Sequence, residues 1–173
     1  LRANLLDSTK TRIIAEFKRQ SPSKGIINNL ADVAAVTNAY TQFGAAGVSV
    51  LTDGPYFGGS IDDLSVAIKN PIPVLRKEFI IDAFQIFEAK AYGASVILLI
   101  ASCLTPTQTE ELAIAAKKMD WSLNKFILKK LNMLNWSKSL FIFFSIALVF
   151  NKTAIAQLLV KNKSAIISLP FFP

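Results

Sequence analysis

Four short apolar runs recur through the first two thirds of the chain, and each is followed by polar or charged residues. Ile13-Ile14-Ala15 leads into Glu16-Phe17-Lys18, Gly47-Val48-Ser49-Val50-Leu51-Thr52 into Asp53, Pro73-Val74-Leu75 into Arg76-Lys77-Glu78, and Ser95-Val96-Ile97-Leu98-Leu99-Ile100-Ala101 into Ser102 and Cys103. Runs of this length, rich in Val and Ile and bounded by Gly or Pro, predict buried strands. Between them the apolar spacing turns helical. Val33, Val36, Tyr40 and Phe43 share one face over residues 32–43, with Gly44 and Gly47 as the stop. Residues 61–69 predict a second helix capped by Ser60, and residues 83–91 a third, with Phe84, Phe87 and Ala91 set against Gln85, Glu88 and Lys90. A fourth helix is expected over about residues 107–118, capped by Thr107 or Thr109. Residues 19–25 and the glycine-rich residues 53–59 read as loops.

Strand–helix units at intervals of roughly 22 to 35 residues have the spacing of right-handed parallel crossovers. The expected fold class is therefore α/β with a parallel sheet of about four βα units. The polar residues Lys18, Thr52 and Lys77 gather just after strands, where open α/β sheets and (β/α) barrels both carry their sites. For Arg76, Lys77, Glu78 and Asp82 an alternative is simply the wet end of a strand.

Charge divides the chain in two. Residues 1–120 hold 12 Lys/Arg and all 12 Asp/Glu, whereas residues 121–173 hold seven Lys and no acid, so the net +7 belongs to the second segment. That segment also lacks glycine. Residues 123–134 read as a basic amphipathic helix and residues 140–150 as an apolar run, too short for the roughly 20 residues of a membrane-spanning helix. Taken literally the tail is an interfacial or hairpin segment. Its Lys, Asn, Ile, Leu, Phe and Ser are also what an AT-rich coding sequence yields in the wrong frame, and that explanation fits it better.

There is no histidine, which removes the Ser-His pair and every His-containing metal site. Cys103 is the single cysteine, expected to be a buried inert thiol. Neither an intrachain disulfide nor a cysteine-cluster metal site is available. The first ten residues lack the pattern of a signal peptide, and a reducing, cytoplasmic setting is expected.

The polar clusters carry a resemblance. Ile13-Ile14-Ala15-Glu16-Phe17-Lys18-Arg19-Gln20-Ser21-Pro22-Ser23-Lys24-Gly25 resembles the first-strand signature of indole-3-glycerol phosphate synthase. Ser49-Val50-Leu51-Thr52-Asp53 with Phe57-Gly58-Gly59-Ser60 agrees in order and spacing. So do the stretch from Pro73 to Asp82 with Gln85, and Gly93-Ala94 with Ile97-Leu98-Leu99-Ile100. Four ordered motifs over about 105 residues make the match specific.

The resemblance implies the first half of a TIM (β/α)8 barrel over residues 1–120, followed by an anomalous segment over 121–173. It implies a carboxy-lyase of tryptophan biosynthesis. That enzyme closes the indole ring of 1-(2-carboxyphenylamino)-1-deoxyribulose 5-phosphate, losing carbon dioxide and water, with no cofactor and no metal. Lys77 matches the general acid, Lys18 the lysine that engages the substrate carboxylate, and Glu16 the carboxylate that holds both ammonium groups. Ser21 matches a substrate contact, and Phe57, Phe79 and Leu98 match apolar positions around the anthranilate ring. Glu16 and Lys18 also fit a plain same-face ion pair, and Leu98 also fits the core. Glu78 stands where the family usually has aspartate, and Ser95 where aspartate is common.

Nothing after about Met119 matches the glutamate general base or the phosphate site of the later strands. On that reading the chain is truncated and inactive, with open sheet edges through which it would self-associate. The expected partner is a small phosphorylated substrate, not nucleic acid or membrane. Two other functions stand beside it: a non-catalytic half barrel that binds membrane or nucleic acid through its basic tail, and another phosphate-sugar barrel enzyme. The Glu16, Lys18, Ser21, Lys77 and Phe79 combination argues against the second.

Overall fold

The computed structural model describes residues 1–119, 126–129 and 165–167. A short helix, α1 (Arg2–Leu6), precedes the first strand, β1 (Ile13–Phe17). Parallel strands β4 (Gly47–Leu51), β5 (Val74–Lys77) and β6 (Val96–Ile100) follow beside it in that order. Helices α2 (Val33–Gln42), α4 (Ile61–Ala67), α5 (Ala83–Ala91) and α6 (Pro106–Lys118) follow the four strands in turn. The expected repeated parallel crossover is thus present.

Period-two alternation sorts each strand's side chains onto two faces. Ala15, Phe17, Val48, Val50, Val74, Ile97 and Leu99 join the main core, with Leu64, Ile86 and Leu112 from the helices. Leu75, Val96, Leu98 and Ile100 form a separate apolar cluster against which Leu1 packs. Two buried faces explain why the strands read as continuous apolar runs. Partnered burial also accommodates one cation on the helix side. Arg76, only 4% exposed, donates to the Gln85 carbonyl at 2.9 Å, to Glu88 Oε2 at 2.7 Å and, through Nε, to Thr52 Oγ1 at 3.2 Å. It is therefore not the wet end of a strand.

Several local expectations are corrected. Residues 19–25 are not a plain loop: β2 (Gln20–Ser21) and β3 (Gly25–Ile26) make an antiparallel hairpin. Residues 53–59 contain a one-turn helix, α3 (Gly54–Phe57), because the Asp53 carboxylate accepts from the Tyr56 and Phe57 amides and Pro55 fits its first turn. Gly59 then packs so tightly on the Leu51 carbonyl that a Cβ would overlap it. Gly44, at φ 78°, takes the left-handed conformation that ends α2. Phe43 is 81% exposed, just beyond that helix, and does not share its buried face.

On α5 the buried residues are Ile86 and Ala89, while Phe84 and Phe87 face solvent at 68% and 49%. Cys103 is exposed, because the chain turns after β6 with the Cys103 amide on the Ile100 carbonyl. The cap of α6 is Thr105, not Thr107 or Thr109. Its hydroxyl accepts from the Gln108 amide at 3.2 Å, and Gln108 Oε1 accepts from the Thr105 amide at 2.9 Å. Thr105→Ala is therefore expected to lower stability by about 1 kcal/mol in denaturant unfolding, and Thr107→Ala by less than about 0.5. Equal effects would reject the assignment.

Two further strands flank the sheet in parallel: β7 (Phe126–Lys129) beside β6, and β8 (Ala165–Ile167) beside β1. Of the expected helix over 123–134, residues 126–129 form a strand in register with residues 97–100, and the others lie outside the described residues. Both sheet edges that the sequence leaves open carry these short additions. The apolar run at 140–150 lies outside the described residues. Among the described residues no helix is long and apolar enough to cross a membrane.

Candidate active site

Lys77 ends β5, and its side chain points to the same face of the sheet as Glu16 of β1, although β4 runs between them. Strand neighbours lie about 4.8 Å apart, so the two side chains must span roughly twice that. The small Ser49, in register with Glu16 on β4, leaves room for the crossing. Lys77 Nζ reaches Glu16 Oε2 at 3.0 Å, and Lys18 Nζ, two residues along from Glu16, reaches Oε1 at 3.2 Å. One carboxylate against two ammonium groups leaves an excess positive charge at the carboxyl ends of the strands. Such a place favours an anion.

Glu16 is 3% exposed. Burial alone would raise its carboxyl, but the charges of Lys77 and Lys18 and their hydrogen bonds outweigh this and hold it below the usual carboxylate value. Lys18 moves down from the usual lysine value, chiefly through burial and further through the Lys77 and Lys24 charges, with Glu16 opposing. The Tyr40 hydroxyl of α2 donates to the Glu16 carbonyl at 3.1 Å, and burial together with the Glu16 charge pushes it up to about 12. A small cavity on the helix side of β1 is lined by Lys18, Asn28, Ala31 and Tyr40, among others.

Of the other sequence-predicted residues, Phe57 and Phe79 come together, with ring centroids 6.3 Å apart and planes tilted by 34°. Tyr56, which sequence reasoning missed, meets Phe79 edge-on at 6.2 Å. Ser21 is buried in the hairpin, where its hydroxyl accepts from the Lys24 amide at 3.2 Å and lies 3.5 Å from Ser23 Oγ. Leu98 belongs to the apolar cluster of Leu75, Val96 and Ile100.

Arg19 was also missed. Its guanidinium lies 4.9 Å over the Phe17 ring, bonds both Asp63 oxygens at 2.5 and 2.8 Å, and donates to the Gly58 carbonyl at 3.3 Å. It thereby ties the hairpin to the turn after β4. Among the described residues no three His, Cys, Asp or Glu side chains gather as a metal site would need.

A parallel sheet with alternating helices, carrying a carboxylate-bridged lysine pair at its strand ends, defines a protein of the partial (β/α)-barrel class. The family model described as indole-3-glycerol phosphate synthase matches residues 1–124, and the chain belongs to that family. It is 53% identical over 108 residues to an indole-3-glycerol phosphate synthase of an Exiguobacterium species, covering 62% of this chain and 43% of that one. The enzyme of that name from Leptospira interrogans is 51% identical over 109 residues, covering 61% and 43%. The one from Polaromonas naphthalenivorans is 46% identical over 115 residues, covering 66% and 44%. The chain therefore spans less than half the length of these curated relatives. A solved sialic acid aldolase of Ruminococcus gnavus aligns at a TM-score of 0.42 and 14% identity, over 93% of this chain and 54% of that one, too remote to add to the assignment.

Proposed function

We propose that residues 1–119 form the part of an indole-3-glycerol phosphate synthase site that takes the carboxyphenylamino end of 1-(2-carboxyphenylamino)-1-deoxyribulose 5-phosphate and delivers the proton for ring closure. The bridging of Lys18 and Lys77 by buried Glu16 carries the reading. Lys18 offers its ammonium group to the substrate carboxylate, and Phe57 and Phe79 receive the flat ring. Lys77 protonates the ketone oxygen as the ring carbon attacks. Loss of carbon dioxide and then of water completes the indole. Glu16 holds the Lys77 ammonium in place at 3.0 Å, aimed as a general acid must be.

Residues 121–173 contain no Asp or Glu, so they supply no carboxylate base for the later steps. On this reading the 173 residues by themselves bind the aromatic end of the substrate without turning it over. The lyase reaction belongs to tryptophan biosynthesis, and a phosphorylated metabolite as substrate suits a cytoplasmic setting.

The test is a titration with 2-aminobenzoate, whose own fluorescence reports its surroundings. A dissociation constant on the order of 1 mM is expected for so small a ligand. Lys18→Met is expected to weaken it about tenfold by removing the charge that meets the carboxylate. Equal affinity in the variant, or no saturable binding at all, defeats the reading.

A further inference from the structure

The chain between Lys77 and Asp82 leaves the sheet at the mouth of the site, yet its backbone is held at nearly every step. The Lys77 carbonyl accepts from the Thr52 amide at 3.1 Å. The Phe79 amide donates to Glu78 Oε1 at 2.9 Å, and the Phe79 carbonyl accepts from Gln85 Nε2 at 3.0 Å. Gln85 Oε1 accepts from the amides of Ile81 and Asp82 at 2.8 and 3.1 Å. The second oxygen of Glu78, Oε2, accepts from the Thr52 hydroxyl at 2.5 Å, and Thr52 is itself held by Arg76. Ile80, 1% exposed, is pinned in the main core.

The carboxylate of Glu78 thus has one oxygen on Thr52, just past the end of β4, and the other on the amide of the residue whose ring meets Phe57. A carboxylate serves both donors at once. An amide in its place keeps an acceptor at one of the two positions and presents an NH2 donor at the other.

We propose that Glu78, seconded by Gln85, is a positioning residue for the substrate-binding wall. It fixes the backbone of Phe79, and with it the ring that closes against Phe57, in a set relation to the end of β4. This deepens the functional reading above and rests on it for what the wall receives. Glu78 touches no reacting atom and acts through Phe79. The capping role of Gln85 on α5 extends the same hold to the start of the helix.

The experiment compares the 173-residue chain with Glu78→Gln and Glu78→Asp, reading amide hydrogen exchange residue by residue and the affinity for 2-aminobenzoate. Glu78→Gln is expected to speed exchange at Phe79 about tenfold. It should weaken 2-aminobenzoate about fivefold and leave the amides of Glu16 and Phe17 in β1 within about twofold of the parent. Glu78→Asp, which keeps two acceptor oxygens, should recover most of both effects. Unchanged exchange at Phe79, or a parallel rise through β1 and β4, overturns the inference, the latter by showing that Glu78 supports the whole fold and not the wall. If the parent chain holds no 2-aminobenzoate while Phe79 responds as described, the positioning role stands and the functional reading falls.

Discussion

Glu16→Ala is expected to lower the free energy of unfolding by about 3 kcal/mol, read as a fall in denaturant midpoint without a change in slope. The substitution removes the shared acceptor of Lys18 and Lys77 and leaves two like charges facing each other, Lys18 with only 5% of its side chain exposed. Removing one partner of a buried pair costs about 3 to 5 kcal/mol. The lower end applies because 17% of the Lys77 side chain still reaches water. Lys18→Met made on top of Glu16→Ala should restore part of the loss, since it removes one of the two like charges that Glu16 held together. A double variant as unstable as the sum of the two single ones would mean that Glu16 stabilises through packing.

The same group sets a pH dependence. Because folding holds the Glu16 carboxyl below its usual value, its contribution is present above the unfolded value and is lost as pH falls through the folded one. Lys18, held down in the fold, works at the other end: the unfolded lysine keeps its proton where the folded one has released it, so stability rises with pH as the usual lysine value is approached. Glu16→Ala should flatten the acid limb of the unfolding midpoint plotted against pH. An unchanged acid limb would assign acid sensitivity to other carboxylates.

Arg76→Met is expected to cost about 3 kcal/mol by the same measurement. Methionine keeps the apolar stem against the main core but returns none of the three hydrogen bonds to the Gln85 carbonyl, Glu88 and Thr52. Glu88, 29% exposed along its side chain, can turn to water, whereas the buried Thr52 hydroxyl cannot do so freely. A loss below about 1 kcal/mol would show that the desolvation of the guanidinium cancels what its partners contribute.

The strands were legible because both faces of the sheet are buried, so Val, Ile and Leu run on with few polar breaks, Glu16, Ser49 and the Arg76–Lys77 end of β5 among them. Helix faces were less so. Phe84 and Phe87 share a helical spacing as good as that of Ile86 and Ala89, and periodicity alone does not say which stripe meets the sheet. Three threonines within five residues offer a cap for α6, and Pro106 at the first helical position with Gln108 three residues after Thr105 singles out Thr105 over Thr107 and Thr109. The exposure of Cys103 is hidden in the sequence, because an apolar strand precedes it while the turn that exposes it is made by backbone bonds.

In the candidate site, the Glu16–Lys18 pair followed from their spacing two apart on one strand. The Glu16–Lys77 contact could come only through the resemblance, since it depends on which strand lies between them and how small Ser49 is. Arg19 with Asp63, and Glu78 with Thr52, join residues 44 and 26 positions apart, beyond any local pattern.

β5 places its two cations on opposite sides: Arg76 toward the helices, Lys77 toward the carboxylate on β1. Deleting one residue between Pro73 and Arg76 would turn each to the other face, bringing the guanidinium into the inner apolar cluster at the place of Leu75 and leaving Glu16 without the Lys77 ammonium. The strand thus tolerates changes of size along its apolar half far better than any change of length, and charge serves as the check on its frame.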